Sequence, residues 1–422
     1  MTGRRLTTPR RPLGVAVVLL SAVGIAACTT DSGAGPKTST SPTSSATAAT
    51  STSSTQPSAT STSPASSPTS SAATAVESCG QRLASAMTPA QRAGQLLMVG
   101  LQPGDSSRAL AAQVKTQGLG AVIYLGGWSG GSATVTTVSR RLQAAAGGDL
   151  LLAADQEGGQ VQQLQGPGFT RLPSARTQAS TGVATEEKTI ASASRELLKA
   201  GVNVNLAPVA DTVPTSLGAA NQPIGRFRRD FAPGDPATNA RYAAAFVRGT
   251  LTAGVAPTVK HFPGLGRVTG NTDVTSVGIT DRTTSADDPY LEPFRAGIRA
   301  GAPLVMVSSA RYPRLDPDNQ AMFSRAIITG LLRGQLGFHG VVVTDDVGAA
   351  KAVADVPVGQ RATRFIAAGG DIVLTARASQ AATMLKAIAV KRTASPQFGG
   401  QVDAAAARVL DLKADLGLVR CR

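Results

Sequence analysis

Eight short apolar runs punctuate the chain beyond residue 95. They read LLMVGL (96–101), GAVIYLG (120–126), LLLAAD (150–155), VNVNLAPV (202–209), APTVKHF (256–262), APLVMVSS (302–309), GVVVTDD (340–346) and GGDIVLT (369–375). Each run is continuous rather than alternating, the pattern of strands covered on both faces. Alanine- and arginine-rich stretches of helical character separate them, among them Ser194–Ala200, Asn239–Ala253 and Arg361–Ala368. Strands alternating with helices predict an α/β fold with a parallel sheet. A count of eight favours a closed (β/α)₈ barrel over a doubly wound open sheet.

The polar positions sharpen this picture. Asp155, Asp211, Lys260, His261, Ser308, Ser309, Asp345 and Asp346 all lie at or just after the C-terminal end of a run. In a parallel barrel those ends share one face, and active sites form there. A charge beside a buried strand is costly unless it is paired or used. The pattern therefore predicts a polar cup of carboxylates, hydroxyls and one Lys-His pair.

The N-terminal part follows other rules. Residues 1–12 carry four arginines and no acid, and residues 13–27 form an apolar run. That run is short for a bilayer span and has the layout of a secretory signal. It ends Ile25-Ala26-Ala27-Cys28, which resembles the bacterial lipobox. The expectation is a signal peptide over 1–27 and a lipid on Cys28, anchoring the protein to the outer face of the cell membrane. Residues 28–77 are almost entirely Ser, Thr, Pro and Ala. They have too little apolar material to bury and are expected to form a disordered tether. The folded domain is expected over 78–422. Cys79 and Cys421 stand at its two ends and, in an oxidising compartment, are a disulfide candidate.

Charge and composition exclude several classes. The formal net charge is +15. The basic residues are neither gathered in a long run nor interleaved with aromatics, so an anionic envelope is the expected neighbour and nucleic acid is not. With only two histidines, far apart, and no CxxC or HExxH, no metal or cofactor is expected. DQEGGQ (155–160) is glycine-rich but lacks the Lys-Ser/Thr of a phosphate loop. The composition leaves a Ser/His/Asp triad open, but carboxylates dominate the cup, and paired carboxylates are how most glycosidases work.

At this point a resemblance becomes legible. Asp155-Gln156-Glu157-Gly158-Gly159, Asn205 to Asp211, Lys260-His261-Phe262-Pro263-Gly264, Val305 to Ser308, Leu331 to Phe338 and Val343-Thr344-Asp345-Asp346 resemble glycoside hydrolase family 3. Within it they are similar to single-domain bacterial β-N-acetylglucosaminidases. The resemblance implies a retaining mechanism with Asp345 as nucleophile and Asp346 as its structural neighbour. It assigns sugar contacts to Asp155, Lys260, His261 and an arginine, matched by Arg229 with Arg228 as the alternative. A monomer cutting an N-acetylglucosamine-containing glycan, released from peptidoglycan as muropeptide fragments, is the implied partnership. A β-glucosidase-type hydrolase or a non-catalytic sugar-binding lipoprotein is the alternative.

The sequence departs from the family in three places. Its Asp-Ser-His loop after the KHFPG motif carries the general acid/base on the His. Here that position is Asp273, and the supporting Asp is Asn271. Asp273 is then itself the acid/base, or the acid is missing, or catalysis has been lost. Gln163 stands where an arginine would contact sugar, and the family's Ser-His on the sixth strand reads Ser308-Ser309. An anionic Asp273 would repel phosphate, so hydrolysis is expected rather than phosphorolysis.

Overall fold

The computed structural model describes residues 77–421. The predicted signal peptide, Cys28 and all but Glu77 of the predicted tether lie outside the described residues.

Eight parallel strands form one sheet: β1 Leu97–Leu101, β2 Ala121–Tyr124, β3 Leu151–Ala154, β4 Val204–Asn205, β5 Ala256–Phe262, β6 Leu304–Val307, β7 Val341–Thr344 and β8 Val373–Thr375. Neighbours follow chain order from β1 to β7, and β8 lies against β1. A parallel bridge between Val343 and Ile372 joins β7 to the start of β8. Thr344 N donates to Ile372 O at 3.0 Å there, so the sheet closes on itself as a barrel. Every residue of these strands is buried, which explains why their sequences run apolar without alternation.

The elements differ from the apolar runs mainly at their ends, for local reasons. β4 is regular only over Val204–Asn205; Leu206 N still donates to Ala154 O at 2.9 Å, and Pro208, which has no N–H to donate to a ladder, accepts from Lys260 N at 3.1 Å. β8 starts late because Gly369, at φ 107°, caps the preceding helix Val358–Ala368. The helices extend further than their alanine-rich cores. One covers Val183–Lys199, and another begins at Pro236, where the Asp235 side chain accepts from Thr238 N.

The C-terminal helix Pro396–Asp415 runs across the end of the barrel where the strands begin. Arg408 bonds Asp371, just before β8, and the buried Lys413 reaches Gln95, just before β1. Helix Cys79–Ser85 packs on it so closely that a Cβ on Gly80 would lie 1.9 Å from Ala407 O. Cys79 and Cys421 are joined by a disulfide with their Cα atoms 5.4 Å apart. This end of the barrel is thus plugged and cross-linked, leaving the opposite end open for a site.

Candidate active site

A cavity of about 330 Å³ opens at the C-terminal ends of the strands. Asp155, Gln163, Arg229, Lys260, His261, Asp273 and Asp345 all line it, together with Asp346, Asn271 and apolar side chains such as Leu206 and Met306. Residues spread over much of the chain meet here because each lies in the last part of a strand, just after one, or on a loop above one. Arg229 lines the cavity. Arg228 beside it is exposed and has a positive φ of 57°.

One wall is a compact charge network. Lys260 Nζ lies 2.5 Å from Asp155 Oδ1 and 2.6 Å from Glu157 Oε1. Arg229 grips Glu157 with two hydrogen bonds, at 2.8 and 2.7 Å. Lys260 is 2% exposed and Glu157 7%. Burial works against the Lys260 ammonium, but Asp155 and Glu157 outweigh it and raise its pKa. Burial likewise opposes the Glu157 carboxylate, yet Arg229 and Lys260 hold it down at about 2. The wall is therefore charged and preorganised, with Asp155 at its edge accepting one bond and free to accept sugar hydroxyls.

Glu157 carries no role in the sequence reading beyond its motif, although it is the hub of this wall. Glu157→Gln leaves two buried cations facing a neutral amide. The expected cost is about 3–5 kcal/mol, read as a lower urea midpoint, with weaker sugar binding alongside. The folded pKa lies below the unfolded value of about 4.3. This contribution is therefore complete above that value and lost as pH falls toward 2.

A second contact fixes His261. Its Nδ1 lies 2.7 Å from Asp211 Oδ2, and the other Asp211 oxygen accepts from His261 N and Leu265 N. Its Nε2 faces Arg229 Nη2 at 3.3 Å. Asp211 thus orients the imidazole and the loop that follows β5. On the opposite side, Gln163 accepts from Gly127 N at 3.0 Å through its side chain, so its amide is partly engaged in holding the loop after β2.

The two candidate catalytic carboxyls differ in setting. Asp345 sits just beyond β7, with its Oδ1 accepting from Asp346 N at 2.8 Å and its own N–H on Val307 O. Burial raises its pKa, while His261 and Lys260 pull it back. Asp346 is spent on structure: its carboxylate accepts from Gly348, Ala349 and Ala376 N–H groups. Asp273 stands at the solvent-open mouth, crowded by the cup walls. That crowding, and the nearby charge of Asp345, push it up to about 6 against the pull of Arg229 and His261. Asp273, pushed up to about 6, and Asp345, raised by burial, thus face one cavity, and a pair of carboxyls on one cavity is what an acid and a nucleophile require.

Ser308 bonds Tyr312 OH at 3.0 Å, and that hydroxyl donates to Gly264 O, bracing the loop after β5. Ser309 Oγ is buried without a partner among the described residues. Gly127-Trp128-Ser129-Gly130-Gly131 has the Gly-x-Ser-x-Gly spacing of a nucleophile elbow, but Ser129 is exposed and does not line the cavity. Among the described residues, no group of three or more His, Cys, Asp or Glu is disposed to hold a metal ion.

Comparison with known proteins agrees with this geometry. The chain is 45% identical to the β-N-acetylhexosaminidase of Beutenbergia cavernae, whose crystal structure superposes with a TM-score of 0.75 over 78% of this chain and 99% of that one. It is 28% identical to a Paenibacillus family 3 β-N-acetylglucosaminidase, with a TM-score of 0.68 over 79% of this chain and 63% of the other. A β-hexosaminidase of Stenotrophomonas maltophilia is 36% identical over 247 residues, covering 57% of this chain and 71% of its own. The model of the glycosyl hydrolase family 3 N-terminal domain matches residues 88–412. With a (β/α)₈ barrel, a carboxylate-lined cup at its strand ends and this match over most of its length, the chain belongs to glycosyl hydrolase family 3.

Proposed function

We propose that this enzyme is a retaining β-N-acetylhexosaminidase that releases terminal, non-reducing N-acetylglucosamine by hydrolysis. Asp345 attacks the anomeric carbon, while Asp273 protonates the departing glycosidic oxygen and then deprotonates the incoming water. The observation that carries this reading is the pair of carboxyls on one cavity, with Asp273 held up at about 6 by crowding and by the charge of Asp345. Asp155, Lys260, His261 and Arg229 supply a fixed polar wall for the hydroxyls of one sugar. The names of the similar proteins support the N-acetylhexosamine substrate. The cavity volume of about 330 Å³ suits a single sugar ring at the bottom of the cup. The leader, Cys28 and the Ser/Thr-rich stretch support a lipid-anchored enzyme of the cell envelope acting on peptidoglycan fragments.

Turnover of an activated aryl β-N-acetylglucosaminide, followed by NMR, tests this directly. The sugar should appear first as the β-anomer, the aryl β-glucoside should be a poorer substrate, and added phosphate should yield no sugar 1-phosphate. Binding of N-acetylglucosamine without turnover would instead mark a sugar-binding protein, and first release of the α-anomer would contradict retention.

A further inference from the structure

The loop carrying Asp273 is fastened along its whole length. Asn221 Nδ2 donates to three of its carbonyls, Leu265, Gly266 and Val268, at 2.7, 3.1 and 2.7 Å. Thr269 and Gly270 N–H groups both reach Gly278 O across the loop. Its far leg pairs with Arg311, through Asp281 N to Arg311 O and Arg311 N to Ile279 O, each 2.9 Å. The tip is held differently. Lys351 N donates to Asp273 O at 3.1 Å, and Ala352 N to Thr272 O at 3.0 Å.

Lys351 and Ala352 belong to the loop that begins with Asp345. Gln320 holds that segment in turn: its buried amide donates to Ala352 O at 2.7 Å and to Ser309 O, beyond β6, at 2.9 Å. Within the tip, Asn271 accepts from Asp273 N through its side chain at 3.0 Å and from Val274 N and Thr275 N through its carbonyl. Thr272 is buried, but Val274 and Val277 are 71% and 77% exposed.

We infer that the backbone N–H groups of Lys351 and Ala352, steadied by Gln320, are the positioning device of the general acid. The nucleophile's own loop then sets where Asp273 stands. This rests on the reading of Asp273 as the acid. A general acid must come within hydrogen-bond reach of the oxygen it protonates. A misplacement of about 1 Å costs roughly 10²-fold. Two backbone bonds at the tip are enough to matter on that scale.

Lys351→Pro removes one of the two N–H groups with little strain. Lys351 opens the short helical turn Lys351–Val353, where proline fits, and Ala350 before it is extended at φ −58° and ψ 131°. Lys351→Ala keeps the N–H and separates the bond from the side chain. Turnover is measured across aryl N-acetylglucosaminides of graded leaving-group pKa. Lys351→Pro is expected to lose about tenfold on the poorest leaving groups and less than about twofold on the best. Gln320→Ala should tilt the series the same way by less, and Lys351→Ala should keep the wild-type steepness. Equal behaviour of Lys351→Pro and Lys351→Ala, or a loss uniform across the series, would overturn the inference. Asp273→Asn run alongside separates the two claims. If it steepens the series and Lys351→Pro does not, the acid stands and the positioning device falls. If it leaves the series unchanged, both fall.

Discussion

Asp345→Ala is expected to reduce hydrolysis of every β-glycoside substrate by a factor on the order of 10⁴ or more. The carboxylate sits at the floor of the cup, beyond β7, and its Oδ1 is fixed by Asp346 N at 2.8 Å. On the proposed mechanism, removing it deletes the group that forms the glycosyl-enzyme and balances charge in the oxocarbenium-like transition state. The network of Glu157, Lys260, Arg229 and Asp155 makes its own contacts and should persist, so sugar binding should outlast catalysis. Burial raises the Asp345 pKa, and the nucleophile must be ionised. Wild-type kcat/KM should therefore fall on the acid side at a pH above the ordinary aspartate range. Azide supplied to Asp345→Ala should enter the vacated space, attack the anomeric carbon of an activated aryl glycoside and expel the phenolate. The product is then the α-glycosyl azide, and its formation checks the position of the nucleophile.

Asp273→Asn should divide substrates by leaving group. Poor leaving groups need a proton as the bond breaks, and their turnover is expected to drop about 10²–10⁴-fold. Activated aryl glycosides need none in that step, so their glycosyl-enzyme formation should change little. The acid works in its protonated form. Crowding and then the charge of Asp345 push Asp273 up to about 6, so wild-type kcat/KM should fall as pH rises through that value. In Asp273→Asn this alkaline limb should disappear. The electrostatics explain how a carboxyl can serve where the family's pattern has an imidazole. Two carboxyls facing one cavity cannot both ionise easily, and Asp273, pushed up to about 6, retains its proton below that pH. Profiles of kcat/KM against pH for both proteins, on one activated and one unactivated substrate, check this.

The barrel was legible because strands buried on both faces leave runs that few other elements imitate. Strand ends were less so. Apolar residues continue past Asn205 through Pro208, where bonds to the neighbouring strands persist in irregular register, and Gly369 and Gly370, ahead of Val373, are taken up by a helix cap. The site was legible where chemistry stands at the end of a strand or directly after it, as at Asp155, Lys260, His261 and Asp345. Partnerships across the chain were not. Glu157 and Arg229 are 72 residues apart, and Asp211 and His261 are 50 apart. Periodicity carries no trace of which acid meets which base. Asn221 and the Lys351–Ala352 segment are harder still, since they act on backbone carbonyls and backbone bonds leave no mark in side-chain identity. The departure at Asp273 was visible only against the family pattern, while its raised pKa depends on the walls that fold around it.

The proposed mechanism requires a covalent bond between Asp345 and the sugar. Incubation with a mechanism-based fluorinated N-acetylglucosaminide bearing a good leaving group, followed by proteolysis and mass spectrometry, tests it most directly. A single glycosyl adduct is expected on the peptide that contains Asp345, absent from Asp345→Ala. An adduct on another residue, or turnover of ordinary substrate with no adduct at all, would contradict it.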